Sequence, residues 1–95
     1  MRLSLQEQVD IKNLVQQACD ARALYLYGSR ADDARKGGDI DLFLETTQLL
    51  TPKEQLELQY QLMTACDTKV DLLVKTPAKD ETPFFSLARQ GVRLI

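Results

Sequence analysis

Leu26-Tyr27-Gly28-Ser29-Arg30-Ala31-Asp32-Asp33-Ala34-Arg35-Lys36-Gly37-Gly38-Asp39-Ile40-Asp41-Leu42-Phe43-Leu44 is the stretch whose reading decides the fold. It joins a Gly-Ser turn, at the end of one apolar run, to an Asp-x-Asp pair inside the next. A carboxylate pair in a strand-like run loses hydration unless a cation or a cationic partner replaces it. Positions i and i+2 of a strand project from the same face. Asp39, Asp41 and Phe43 therefore share one face, and Ile40, Leu42 and Leu44 the other.

Upstream, Ala23 to Tyr27 is short, apolar and aromatic and stops at Gly28, as a buried strand does. Before it, Ser4-Leu5-Gln6-Glu7 has the form of a capping box, and Ile11, Leu14, Val15 and Ala18 follow at helical spacing, giving a helix over 4–20. Ser29 to about Ala34 starts a short helix, and Gly37-Gly38 punctuates the loop before the second strand, 39–44.

Downstream, Thr51-Pro52-Lys53-Glu54 combines an N-cap, a first-turn proline and a second capping box, opening a helix that runs to about Ala65. Leu56, Leu58, Tyr60 and Leu62 alternate as a strand would, but the caps and the Gln, Glu, Leu and Met content favour helix. Wound as a helix, Leu56, Tyr60 and Met63 form one stripe. Leu58, Leu62 and Ala65 form another on the far side, left to cover a loop or to meet a partner. Lys69 to Val74 is a third strand with Asp71 and Leu73 on one face. A short helix after Thr82-Pro83, with Phe84, Phe85, Leu87 and Ala88, ends at Gly91, and 92–95 closes as a strand. The order implies an α/β domain: a small mixed sheet with helices packed on it.

The 95 residues suit one small domain, 1–95. A net charge of -2 and a pI near 5.0 argue against direct nucleic-acid binding by a broad basic surface, but not against a small phosphorylated ligand. No apolar run approaches the roughly 18 residues of a membrane span, and the N-terminus does not read as a signal peptide. Cys19 and Cys66 lie far apart without a framework pattern and read as free thiols, so a cytoplasmic location is expected. Histidine is absent, which removes Ser-His-Asp and Cys-His mechanisms and leaves acid-base and metal chemistry to carboxylates.

Two-metal phosphoryl transfer needs acidic ligands able to bridge cations about 3.5–4 Å apart. Asp39 and Asp41 suit this from one strand, and Asp71 is the natural third member from another. Gly28 permits close backbone approach, and Ser29 offers a hydroxyl and N–H groups to phosphate oxygens. Arg30 adds a forked cationic contact, unless it pairs with Asp32 or Asp33. Glu45 reads as a surface residue. Tyr25, Tyr27, Phe84 and Phe85 read as core or edge packing rather than a stacking platform for a base.

The strand, the Gly28-Ser29 turn, nine intervening residues, Asp39-x-Asp41 and the later Asp71 together resemble the DNA polymerase beta superfamily of nucleotidyltransferases. The match is nearest to its minimal nucleotidyltransferase (MNT) members and spans nearly the whole chain. Gly28 and Ser29 match the family's Gly-Ser motif, Asp39 and Asp41 its paired metal ligands, and Asp71 the carboxylate that activates the incoming hydroxyl. The resemblance implies a nucleotidyltransferase fold and two Mg²⁺ ions. It implies transfer of AMP from ATP onto a hydroxyl, on a HEPN-type toxin partner that the chain neutralises as an antitoxin, in a homo- or hetero-oligomer. The acceptor-binding lobe of larger relatives has no counterpart here, so the partner is expected to supply and position the hydroxyl. Relatives often carry a basic residue and a glycine where this chain has Asp32-Asp33, acids that Arg35 and Lys36 can offset. A binding protein with a vestigial site, and nucleotidyl transfer to a small molecule, are the alternatives on the same fold.

Overall fold

A computed structural model describes residues 1–32 and 38–95. Helix α1, Leu5–Ala18, starts under a reciprocal cap: Glu7 N–H donates to Ser4 Oγ at 3.0 Å and Ser4 N–H to Glu7 Oε1 at 2.8 Å. Helix α2, Pro52–Cys66, repeats the device with Thr51 and Glu54 at 3.1 and 2.9 Å. Each box satisfies two backbone donors that a helix start otherwise leaves to water. α1 ends earlier than the sequence suggests, because Cys19 is already extended.

Strands β1 (Ala21–Tyr27), β2 (Ile40–Thr46), β3 (Val70–Lys75) and β4 (Val92–Arg93) form a mixed sheet in the order β3-β2-β1-β4. β1 runs antiparallel to β2 and to β4, whereas β2 and β3 are parallel, joined by α2 as the crossover. β4 is shorter than the expected 92–95, although Leu94 N–H still donates to Leu24 O at 2.7 Å. The helix expected from Ser29 is a single 3-10 turn, Gly28–Ala31, and the end of that expected segment lies outside the described residues.

The sheet's two faces carry two cores. Leu24, Leu26, Ile40, Leu42, Leu44, Val70 and Val74 face α1 and α2, meeting Ile11, Val15, Leu58 and Leu62. Removing such side chains from water contributes roughly 1.5–3 kcal/mol each. This corrects the stripe assignment in α2. Leu58 and Leu62 are core, at 2% and 0% exposure, whereas Leu56 and Tyr60 face solvent at 67% and 70%. Both stripes hold leucine, so composition does not choose between them; the direction from which the sheet meets the crossover helix does.

On the opposite face, Ala23, Tyr25 and Phe43 pack against Phe85 and Ala88 of the short helix α3, Pro83–Ala88. Phe43 stacks on Phe85 with ring centroids 5.3 Å apart. Glu45 is not the free surface residue expected. Arg89 Nε meets its Oε1 at 2.8 Å, and the guanidinium lies 5.5 Å over the Phe43 ring, closing the end of this smaller core. Among the described residues no helix is long and apolar enough to cross a membrane.

Candidate active site

The β1/β2 register places Tyr27 opposite Asp41, and the β2/β3 register places Asp41 opposite Asp71. One sheet level thus carries Tyr27, Asp41 and Asp71 abreast on adjacent strands. All three project to the α3 side, since Phe43 and Leu73, two residues further along their strands, pack into that core. Asp39 immediately precedes β2. Ile40 N–H donates to Lys69 O at 3.0 Å, which holds the start of β2 against the residue leading into β3.

The carboxylates are crowded. Burial pushes the Asp41 carboxyl above its ordinary value, and the charges of Asp71 and Asp39 and a hydrogen bond with the Asp71 side chain push the same way, with Lys69 opposing. Burial, then Asp41 and Asp71, likewise raises the Tyr27 phenol. Lys69 Nζ lies 3.7 Å from Asp39 Oδ2 and 4.0 Å from Asp71 Oδ1. Among the described residues no three His, Cys, Asp or Glu side chains converge on one point at metal-ligand spacing. Asp41 pairs with Asp71, and Lys69 bridges Asp39 and Asp71.

The Gly-Ser turn is built against these acids. Gly28, at φ +74°, leaves no room for a side chain: a Cβ there would overlap the Asp41 carboxylate. Gly38, at φ +90°, closes on the turn from the other side, where a Cβ would overlap Ser29 Oγ. Ser29 is therefore held between the end of β1 and the approach to β2. Arg30 does not pair with Asp32 in any contact the structure gives it. Its Nε donates to Gly38 O at 3.2 Å and its Nη1 to Arg2 O at 3.0 Å. Arg2 answers, with Nη2 donating to Ser29 O at 3.0 Å and its backbone N–H to Arg30 O at 2.7 Å. Two arginines thus tie the chain start, the turn and Gly38 into one unit. Of the loop acids, Asp32 is exposed, and Asp33, with Arg35 and Lys36, lies outside the described residues.

The family model for polymerase beta nucleotidyltransferases matches residues 9–95, nearly the whole chain and all the residues just placed except Arg2. The chain belongs to this nucleotidyltransferase family. Solved structures agree in fold. A complex of a tri-AMPylated Shewanella oneidensis HEPN toxin with an MNT antitoxin matches 94% of this chain and 69% of its own at 24% identity and a TM-score of 0.74. A toxin-antitoxin structure with AMP-PNP matches 93% and 72% at 24% identity and a TM-score of 0.79. An MntA-HepT toxin-antitoxin structure matches 97% and 72% at 22% identity and 0.75. Comparison with curated proteins found no match.

As a polymerase beta nucleotidyltransferase, the chain brings Gly28, Ser29, Asp39, Asp41 and Asp71 into one neighbourhood, with Arg30 bracing it. Three contributors are not singled out by sequence reasoning. Gly38 backs Ser29, Lys69 faces two of the acids, and Tyr27 shares their sheet level. Lys69 had a local signal, standing two residues before Asp71 in the run that the sequence reads as the third strand. Both thiols are half-buried and free, and burial raises both, which leaves them poorly nucleophilic.

Proposed function

We propose that this nucleotidyltransferase transfers AMP from Mg²⁺-bound ATP to a hydroxyl on a HEPN-type toxin partner and serves as that partner's antitoxin in the cytoplasm. The observation that supports this most is the register Asp41 to Asp71 beside the Gly28-Ser29 turn. It sets a turn without a side chain at its first position against acids drawn from two strands.

The donor set fits a hard divalent cation. It consists of carboxylate oxygens on one face, and their mutual repulsion falls when a cation lies between them. Asp39, Asp41 and Asp71 would hold two Mg²⁺ ions. When bound, such ions neutralise the triphosphate and lower the pKa of the attacking hydroxyl. Ser29, through its hydroxyl and the N–H groups of its turn, would grip phosphate oxygens, with Gly28 allowing the approach and Arg30 adding positive charge. The acceptor oxygen would form a bond to the α-phosphorus as the bond to the bridging oxygen breaks. Pyrophosphate would leave, and Asp71 would take the hydroxyl proton. The structural relatives named above are complexes of toxin with antitoxin, one of them tri-AMPylated and one with AMP-PNP, which supports both the nucleotide and the class of partner.

The test is incubation of the protein with α-labelled ATP, Mg²⁺ and a HEPN-type partner. Covalent label on the partner, with release of pyrophosphate, is the expected result. A partner that is silenced by complex formation yet carries no label would overturn transfer in favour of neutralisation by contact.

A further inference from the structure

We infer that Lys69 makes divalent-cation binding at Asp39, Asp41 and Asp71 depend on the nucleotide; this rests on those carboxylates being the metal ligands. The parallel β2/β3 register pairs Asp41 with Asp71. Two residues back along each chain stand Asp39 and Lys69, side by side because Lys69 O accepts from Ile40 N–H at 3.0 Å. Four charged side chains thus form two rows, with two acids inside and an acid and a lysine outside. The ammonium lies within 4.0 Å of Asp39 and of Asp71, one acid from each row.

A fixed positive charge in this place acts on any cation bound by the same acids. Three carboxylates offer a charge of -3, and Lys69 reduces the field to -2. The repulsion between an ammonium and a divalent ion a few ångströms away, at the dielectric of a water-exposed site, weakens metal binding by about fivefold to tenfold. A triphosphate changes the balance, because its own oxygens supply ligands and negative charge and give the ammonium another partner. Metal is then retained chiefly when ATP arrives with it. Lys69 acts through the carboxylates and is a positioning and tuning residue rather than a catalytic one. If its contacts were only an exposed ion pair, they would be worth little and would leave metal affinity unchanged.

The experiment is titration of the whole protein with Mn²⁺ alone, read by paramagnetic resonance, and then with a non-hydrolysable ATP analogue present. Wild type, Lys69→Met, Lys69→Arg and the double variant Asp39→Asn with Asp41→Asn are compared. The Lys69 side chain is 62% exposed, so both replacements leave the core intact. The expected result is that Lys69→Met binds Mn²⁺ alone about fivefold to tenfold more tightly than wild type while Lys69→Arg does not, the gap falling below about twofold with the analogue and narrowing as salt is raised. Affinity of Lys69→Met within twofold of wild type, or a gap that persists with the analogue, overturns the inference. Binding abolished in the double variant but indifferent to Lys69 leaves the metal assignment standing and removes only the role of Lys69. Wild-type binding that is absent even with the analogue, or that survives the double replacement, overturns both.

Discussion

Gly28 lies so close beneath Asp41 that a Cβ at position 28 would overlap Asp41 Oδ2, on a backbone already at φ +74°. The Gly-Ser turn and the strand that carries the Asp41 carboxylate are thus in mutual contact.

Gly28→Ala tests that contact. The left-handed backbone alone costs a non-glycine residue about 1–2 kcal/mol, and the overlap with Asp41 adds to it. Urea unfolding is expected to show a loss of about 2–3 kcal/mol. Nucleotidyl transfer should fall by on the order of a hundredfold, since a displacement near 1 Å at reacting groups has that effect. Full stability in the variant would mean that the turn moves independently of β2.

Asp41 carries a pH prediction. Its carboxyl is raised above the ordinary 3.8 by burial and by Asp71 and Asp39. A raised acid favours the folded state below its ordinary pKa and loses that contribution as pH rises through the folded value. Near pH 7, without divalent ions, ionised Asp41 therefore opposes folding, and Asp41→Asn should melt higher than wild type. The gap should close as pH falls toward 3. Melting curves at several pH values in a chelating buffer check this, and a variant that melts lower at pH 7 contradicts it.

At the other end of the same sheet face, Arg89 joins Glu45 at 2.8 Å, Glu81 at 3.0 Å and the Phe43 ring. Because water screens the outer part of this network, Arg89→Ala is expected to cost about 1 kcal/mol, or a melting shift of about 4–8 °C for a domain of this size. Glu81 is lowered from 4.5 to about 2, chiefly by its hydrogen bond to Arg89. Its contribution is present above 4.5 and disappears as pH falls toward 2. The shift caused by Arg89→Ala should therefore shrink in acid.

α2 supplies a contrast inside one helix. Leu62→Ala empties a fully buried site and should cost about 2–5 kcal/mol. Leu56→Ala, at a solvent-facing position, should stay within about 0.5 kcal/mol. Equal costs in denaturant unfolding would mean that the wrong face of α2 has been assigned to the core.

The local signals in the sequence were sufficient for the elements and for the acids. Ser4 with Glu7 and Thr51 with Glu54 mark two helix starts, and a period of two puts Asp41 and Asp71 on the faces they occupy. What the sequence did not carry is whatever depends on how elements meet. Leu58 rather than Leu56 is buried because the sheet lies on that side, and two leucine stripes look alike until it does. Lys69 faces Asp39 only through the parallel register, and Glu45 finds Arg89 across 44 positions of chain. The bracing of Arg30 by Gly38 and Arg2 likewise joins segments that no short pattern connects.

Metal-dependent transfer from ATP is tested most directly by mass spectrometry of the HEPN-type partner after incubation with ATP, Mg²⁺ and either wild-type protein or the Asp39→Asn, Asp41→Asn double variant. The expected result is an AMP adduct on a partner hydroxyl with the wild type, its loss when Mg²⁺ is chelated, and none with the double variant, which stays folded and still binds the partner. An adduct formed equally well by the double variant would contradict the assignment of these carboxylates as the site of transfer.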